Sequence, residues 1–228
     1  MVLLLLLSIP LFYAFRLLGL SNPWPRIFLG GVALIAGVRV VSNGTRPAGP
    51  TLLIANHVSW IDILALSRIT GCAFVGHDGL AAMPLLRWLC KLNDTVFVAR
   101  HDRASLPQQV AAVRTAMAHM HTLAIFPEGT TSDGTGVLPF KSALLSAFEP
   151  LPAGIAVQPV ALDYGVNAAL VAWVGEEPGL DNFLRIVAAR GPLVVTARFM
   201  PPLAGSDLAS RKPMAAAAHR AIAQALAR

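Results

Sequence analysis

Charge is scarce in this chain: only 13% of its 228 residues are Asp, Glu, Lys or Arg, while 55% are hydrophobic. Soluble domains carry about 25% charged residues, so part of this surface faces something other than water, and lipid is the first candidate. Cysteine is nearly absent. Cys72 and Cys90 are the only two, and their spacing matches neither a CxxC redox pair nor a zinc-ligand set, so both read as buried reduced thiols. Several signatures are missing too. There is no H-E-x-x-H helix, no G-x-x-x-x-G-K-[ST] phosphate loop, no well-placed G-x-G-x-x-G and no G-x-S-x-G nucleophile elbow. Neither a metal nor a cofactor is expected. The formal charge of +6 comes mainly from scattered arginines without a dense basic run, which argues against nucleic acid and suits an anionic membrane or substrate.

What the chain has in excess is apolar sequence at its start. Residues 1–15 carry no charge, and 2–7 are almost pure leucine before Pro10 and Arg16. A spanning helix needs about 20 apolar residues, so this run is short. A second apolar run, 27–38, follows a junction of Ser21, Asn22, Pro23, Trp24 and Pro25, whose prolines and tryptophan suggest a break near a membrane–water boundary. No basic residue precedes the apolar region and no small-residue cleavage site follows it, so a removed signal peptide is not the favoured reading. Segment 1–37 reads as a membrane anchor, either one tilted span or a helical hairpin in one leaflet. The positive remainder, 38–228, is then expected on the cytoplasmic side of an inner membrane.

Beyond residue 38, short β-branched runs alternate with longer helical segments. Strands are expected at 38–41, 52–55, 73–75, 96–98, 123–126, 156–161 and 194–199, and helices at 61–68, 80–89, 107–119, 180–189 and 214–227. This alternation predicts a single α/β domain with a largely parallel central sheet flanked by helices. Asn43-Gly44 reads as a turn between the first two strands, and residues 129–136 as a polar loop.

Two polar turns follow two apolar strands. Asn56-His57-Val58-Ser59-Trp60-Ile61-Asp62 comes directly after 51–55. On one continuous helix, residues five apart point about 140° away from each other, so His57 belongs in the turn before the helix. With Ser59 as N-cap, Asp62 falls in the first helical turn, and its carboxylate can return towards the imidazole. A carboxylate on one ring nitrogen fixes the tautomer and leaves the other nitrogen to take a proton. The same residues also read as a plain Ser-x-x-Asp capping box beside an incidental histidine. Phe126-Pro127-Glu128-Gly129-Thr130-Thr131 is the second turn. Ligands of open α/β sheets collect beyond the carboxyl ends of strands, so the two turns are expected to share one crevice.

NHVSWID and FPEGTT resemble the first and third signature blocks of the lysophospholipid acyltransferase family, which includes bacterial 1-acyl-sn-glycerol-3-phosphate acyltransferases. Phe97-Val98-Ala99-Arg100 resembles its second block and Val157-Gln158-Pro159-Val160 its fourth, in order, over roughly residues 38–200. The resemblance implies that His57 is the base and Asp62 its partner, that Arg100 holds the acceptor's anionic head, and that Glu128, Gly129 and Thr130 belong to the acceptor-binding turn. Lys141 matches a basic position that the family often uses near the acceptor phosphate. Ser142, Ala143 and Leu144 then depart from the basic-Gly-Ala continuation of many phosphate-handling members.

Acyl transfer needs no covalent intermediate if a base deprotonates the hydroxyl and the leaving group is a thiolate. The resulting expectation is transfer from acyl-CoA or acyl carrier protein to the sn-2 hydroxyl of 1-acyl-sn-glycerol-3-phosphate, giving phosphatidic acid. A lyso-ornithine lipid is the alternative acceptor. Hydrolysis of a thioester or lipid ester, and a non-catalytic lipid-binding role, are the competing classes.

Overall fold

In the computed structural model, which describes residues 2–20, 22–77, 84–98, 106–120 and 122–227, two helices precede an alternating series. They are α1 (Val2–Leu17) and α2 (Trp24–Ile35). The series begins with β1 (Val38–Asn43), β2 (Thr51–Ala55), α3 (Ile61–Thr70), β3 (Ala73–His77), α4 (Pro84–Leu92) and β4 (Val96–Val98). It continues with α5 (Leu106–Met120), β5 (Thr122–Ile125), β6 (Ala156–Asp163), α6 (Ala168–Val171), α7 (Gly179–Val187), β7 (Leu193–Phe199) and α8 (Arg211–Leu226).

All seven expected strands form, and they join one sheet in the order β1-β7-β6-β2-β5-β3-β4. Every neighbouring pair is parallel except β6 with β7. Central β2 is buried at all five positions, as expected for a strand covered on both faces. Its side chains alternate between two cores. Leu53 and Ala55 pack with Ala33, Leu64 and Ile186 on one face, while Leu52 and Ile54 pack with Val113, Phe148 and Met214 on the other. Pro159 is tolerated inside β6 because its pairing with β7 starts one residue later, at Val160.

Three features go beyond the sequence reading. Asn43-Gly44 ends β1, and Gly44 takes φ +83° where a Cβ would collide with the Phe199 carbonyl. The turn does not link neighbours, however, because β7 and β6 lie between β1 and β2. The second helix starts at Trp24, inside the junction expected to separate the two apolar runs, since Pro25 sits in its first turn, where a missing N–H costs little. Ser142–Phe148, assigned no element from sequence, winds into a 3-10 helix that buries Leu144, Leu145, Ala147 and Phe148. The expected helix start at Leu80 lies outside the described residues. Cys72 is buried, which pushes its thiol up to about 12, whereas Cys90 is only half-buried.

The first two helices form an antiparallel hairpin: Leu4 meets Gly31 near one end, and the Phe15 and Trp24 rings meet near the other. The hairpin is welded to the domain by Val32, Ala33 and Ala36, which enter the same core as α3. Its outer face is bare hydrocarbon, with Leu3, Leu7 and Leu17 71%, 58% and 89% exposed. Sixteen residues of α1 reach about 24 Å, short of the roughly 30 Å of a bilayer core. Among the described residues, no helix is long and apolar enough to cross a membrane.

Leu53 tests the central layer. Leu53→Ala is expected to lower stability by about 2–5 kcal/mol, read as a fall in the urea midpoint of detergent-solubilised protein with an unchanged slope.

Candidate active site

Parallel pairing places the two polar turns side by side. Ile54 pairs with Ile125, and His57 and Glu128 each follow three residues later. From β2 the chain passes over β5 to β3, and from β5 it crosses back to β6 on the other side of β2. Opposed departures of this kind open a crevice at the strand ends. Asn56 extends the β2–β6 pairing with its side chain, donating from Nδ2 to the Leu162 carbonyl (3.0 Å) and accepting at Oδ1 from the Leu162 N–H (2.7 Å).

The next residues turn their N–H groups towards two acids. The His57 N–H donates to Glu128 Oε1 (2.9 Å), and those of Val58 and Ser59 donate to Asp62 Oδ2 (2.6 and 2.9 Å). The same Asp62 oxygen lies 2.7 Å from His57 Nδ1. Because a carboxylate only accepts, Nδ1 carries the proton and Nε2 of the neutral ring is left as the acceptor. Tyr164 closes the set, its hydroxyl donating to Asp62 Oδ1. Burial, and then the facing Asp62 carboxylate, hold the Tyr164 hydroxyl well above its usual range, so it remains a donor.

The helix cap differs from expectation. Trp60 is the N-cap residue of α3, and the Ser59 hydroxyl accepts from the Ile61 N–H (3.2 Å). The capping box and the His–Asp pair are thus not alternatives. Asp62 makes the return half of the box, to the Ser59 N–H, with the oxygen that also faces the imidazole.

The His57 ring is held on its face and through its backbone. It stacks on Phe126 with ring centres 4.2 Å apart and planes 15° apart, and Phe126 stacks in turn on Phe74. The His57 carbonyl accepts from Ser132 N–H (2.7 Å) and Ser132 Oγ (3.1 Å). Its side chain keeps 22% of its surface exposed, against none for Asp62, so the ring meets the outside while its partner does not.

Glu128 is 1% exposed, which excludes a solvated loop carboxylate. Its second oxygen accepts from the Leu138 N–H (3.2 Å), so both oxygens hold backbone, and burial pushes its pKa up to about 7. Gly129 takes φ +70° as its N–H closes the turn on the Phe126 carbonyl (3.1 Å). Thr130 stands exposed beside it, and Lys141 is exposed with its N–H on the Pro127 carbonyl (2.8 Å). His57, Asp62, Glu128, Gly129, Thr130 and the Lys141 backbone therefore gather at one place, while Arg100 lies outside the described residues. Sequence reasoning missed Ser132 and Tyr164. Ser132 carried a faint signal as part of the polar loop; Tyr164 carried none. A crevice of about 720 Å³ lined by Thr51, Ala156 and Phe199 lies at the opposite end of the sheet, away from this chemistry.

A family model described as Acyltransferase matches residues 37–163, from just before β1 to the end of β6. The chain belongs to the acyltransferase family. The acyltransferase is 32% identical to the lyso-ornithine lipid O-acyltransferase of Rhodobacter capsulatus, over 97% of this chain and 86% of that protein. It is 35% identical to the 1-acyl-sn-glycerol-3-phosphate acyltransferase of Neisseria gonorrhoeae, over 60% of this chain and 54% of the relative. Its fold is that of the 1-acyl-sn-glycerophosphate acyltransferase PlsC of Thermotoga maritima, with a TM-score of 0.62 at 19% identity across 97% of this chain and 94% of that one.

The Glu128 clasp has a pH signature. A carboxyl group whose folded pKa of about 7 stands above the ordinary 4.5 contributes stability that is full below pH 4.5 and lost as pH rises through 7. Wild type is therefore expected to lose roughly 1–3 kcal/mol across that window relative to Glu128→Gln. Urea titrations of both proteins at pH 4.5, 6 and 8 check the difference in slope.

Proposed function

We propose that this acyltransferase moves a fatty-acyl group from an acyl-CoA or acyl carrier protein thioester to a lysolipid hydroxyl, with His57 as general base and Asp62 as its orienting partner. His57 Nε2 accepts the hydroxyl proton as that oxygen attacks the thioester carbonyl carbon. The tetrahedral intermediate collapses, the carbon–sulfur bond breaks, and the thiolate recovers the proton from the imidazolium. Oriented Asp62 favours this imidazolium, and base catalysis of this kind contributes about 10²- to 10⁴-fold in rate.

For the acceptor, we favour a lyso-ornithine lipid. The observation carrying this choice is the reach of the similarity: the lyso-ornithine lipid O-acyltransferase of R. capsulatus matches 97% of the chain, the N. gonorrhoeae glycerophosphate enzyme 60%. The Lys141-Ser142-Ala143 departure points the same way. Acylation of 1-acyl-sn-glycerol-3-phosphate at sn-2, giving phosphatidic acid, is the second reading, favoured by the 35% identity within the shared segment.

The α1–α2 hairpin supports a seat in one leaflet of the inner membrane, with the catalytic domain on the cytoplasmic side. Its exposed leucines match hydrocarbon, its helices are too short to span, and the formal charge of +6 suits an anionic leaflet surface.

His57→Ala is expected to lower diacylated-lipid formation by about 10²-fold or more while circular dichroism stays unchanged; undiminished turnover would remove the mechanism. The acceptor is decided by offering purified protein both thioester donors with lyso-ornithine lipid and with 1-acyl-sn-glycerol-3-phosphate, followed by mass spectrometry. A higher kcat/KM on lyso-ornithine lipid is expected. Thioester consumption without diacylated product would instead mark a hydrolase.

A further inference from the structure

Tyr164 stands 102 residues from Asp62 along the chain, yet its place beside the His57 turn is fixed on both sides. Asn56, the residue before His57, grips the N–H and the carbonyl of Leu162. Asp163 then accepts from the Gly165 N–H (2.9 Å) and from the Arg198 guanidinium on β7. Just beyond, the Tyr164 ring is 3% exposed, in the core that also holds Val58 and Leu64. Its hydroxyl reaches Asp62 Oδ1, the oxygen away from the imidazole.

The two carboxylate oxygens divide their donors. Oδ2 accepts from His57 Nδ1 and from the Val58 and Ser59 N–H groups, whereas Oδ1 accepts from Tyr164. All of them share one negative charge, on a side chain with no exposed surface at which water could compete. A donor on one oxygen draws charge from the other, and a dry interior screens that redistribution less than water does. The more charge Tyr164 draws, the weaker the pull of Asp62 on an imidazolium. Burial and the facing carboxylate hold the phenol well above its usual range, so it stays a donor even when made more acidic.

We infer that Tyr164 is a positioning residue that sets, through Asp62, how tightly the His57 ring holds the proton it takes up. This role rests on the reading of His57 as the general base. The proton arrives at Nε2 from the acceptor hydroxyl and must leave again to the thiolate. A carboxylate with all its charge on the imidazole side favours the arrival and opposes the departure, and Tyr164 evens the two. The acids of the neighbouring elements are engaged elsewhere: Glu128 on the His57 and Leu138 N–H groups, Asp133 on Thr135, Asp163 on Arg198 and Glu177 on Arg185. Lys141 is exposed.

Tyr13 and Tyr164 are the only tyrosines, so Tyr13→Phe protein grown on 3-fluorotyrosine carries one fluorinated, more acidic phenol, at residue 164. The test compares the full chain in detergent as Tyr13→Phe, as Tyr13→Phe with Tyr164→Phe, and as Tyr13→Phe with the fluorinated ring. NMR follows the His57 Nδ1 proton, assigned by its loss in His57→Gln, and kcat/KM for acyl-CoA and the faster lysolipid acceptor is measured against pH. Tyr164→Phe is expected to move the proton resonance downfield and the acid limb of kcat/KM up by about 0.5–1 pH unit. The fluorinated, stronger donor moves both the opposite way and by less. Glu128, which titrates at about pH 7, is common to the three proteins and does not mimic a displacement between them. A resonance and limb that stay in place, or that both changes at residue 164 move in one direction, overturn the proposal. The fluorinated protein keeps ring and hydroxyl, so its comparison stands even if Tyr164→Phe fails to fold. A resonance that follows donor strength while the limb stays fixed upholds the coupling of Tyr164 to the imidazole and rejects His57 as the base.

Discussion

One buried carboxylate holds the candidate active site together. Asp62 has no exposed surface, and an acid in such surroundings is tolerated only when its oxygens are satisfied. Four donors do this: the imidazole, two backbone N–H groups of the preceding turn, and the Tyr164 hydroxyl. Moving the start of α3 would unpair several of them at once. The orientation of the His57 ring thus follows from the satisfaction of Asp62, and an imidazole with a fixed tautomer is ready to take a proton without first rearranging.

Glu128 extends the same principle to the neighbouring strand. The N–H groups of residues 57, 58 and 59 point to two acids, Glu128 for the first and Asp62 for the others. Between them these acids lock a turn that would otherwise carry three unpaired donors at a sheet end. Ser132 holds the carbonyl side of His57, and Phe126 holds the ring face. Glu128 and the stacked Phe126 come from the β5 turn, so the His57 imidazole is positioned jointly by two strands distant in sequence.

The molecule also has two contrasting surfaces. The hairpin turns leucines outward while fixing Val32 and Ala33 in the core that backs α3. Through that core α2 packs on α3, the helix that carries Asp62. That geometry suits an enzyme whose acceptor resides in lipid.

Much of this was legible from the residues. Short β-branched runs alternating with longer helical segments located the seven strands and the main helices, because strand and helix preferences are local properties of the residues. The placement of His57 before the helix followed from helical angles, and that of Asp62 within the first turn from an expected cap at Ser59, one residue before the observed N-cap Trp60. The 3-10 helix at Ser142–Phe148 was not legible, since a short apolar stretch carries no distinguishing period. Glu128 was legible as part of a turn sharing a crevice with His57, but its grip on the His57 and Leu138 N–H groups was not, because those donors arrive from elsewhere in the chain.

The sequence by itself determined the α/β class and the two polar turns, and it allowed the His57–Asp62 pairing beside a plain capping box, since all of these rest on residues near one another along the chain. Tertiary structure alone decided that β7 and β6 separate β1 from β2, that Tyr164 completes the Asp62 shell 102 residues away, and that Glu128 grips backbone. Those outcomes depend on which strands become neighbours, and strand order is settled by burying both faces of a whole sheet, a constraint that no local segment encodes.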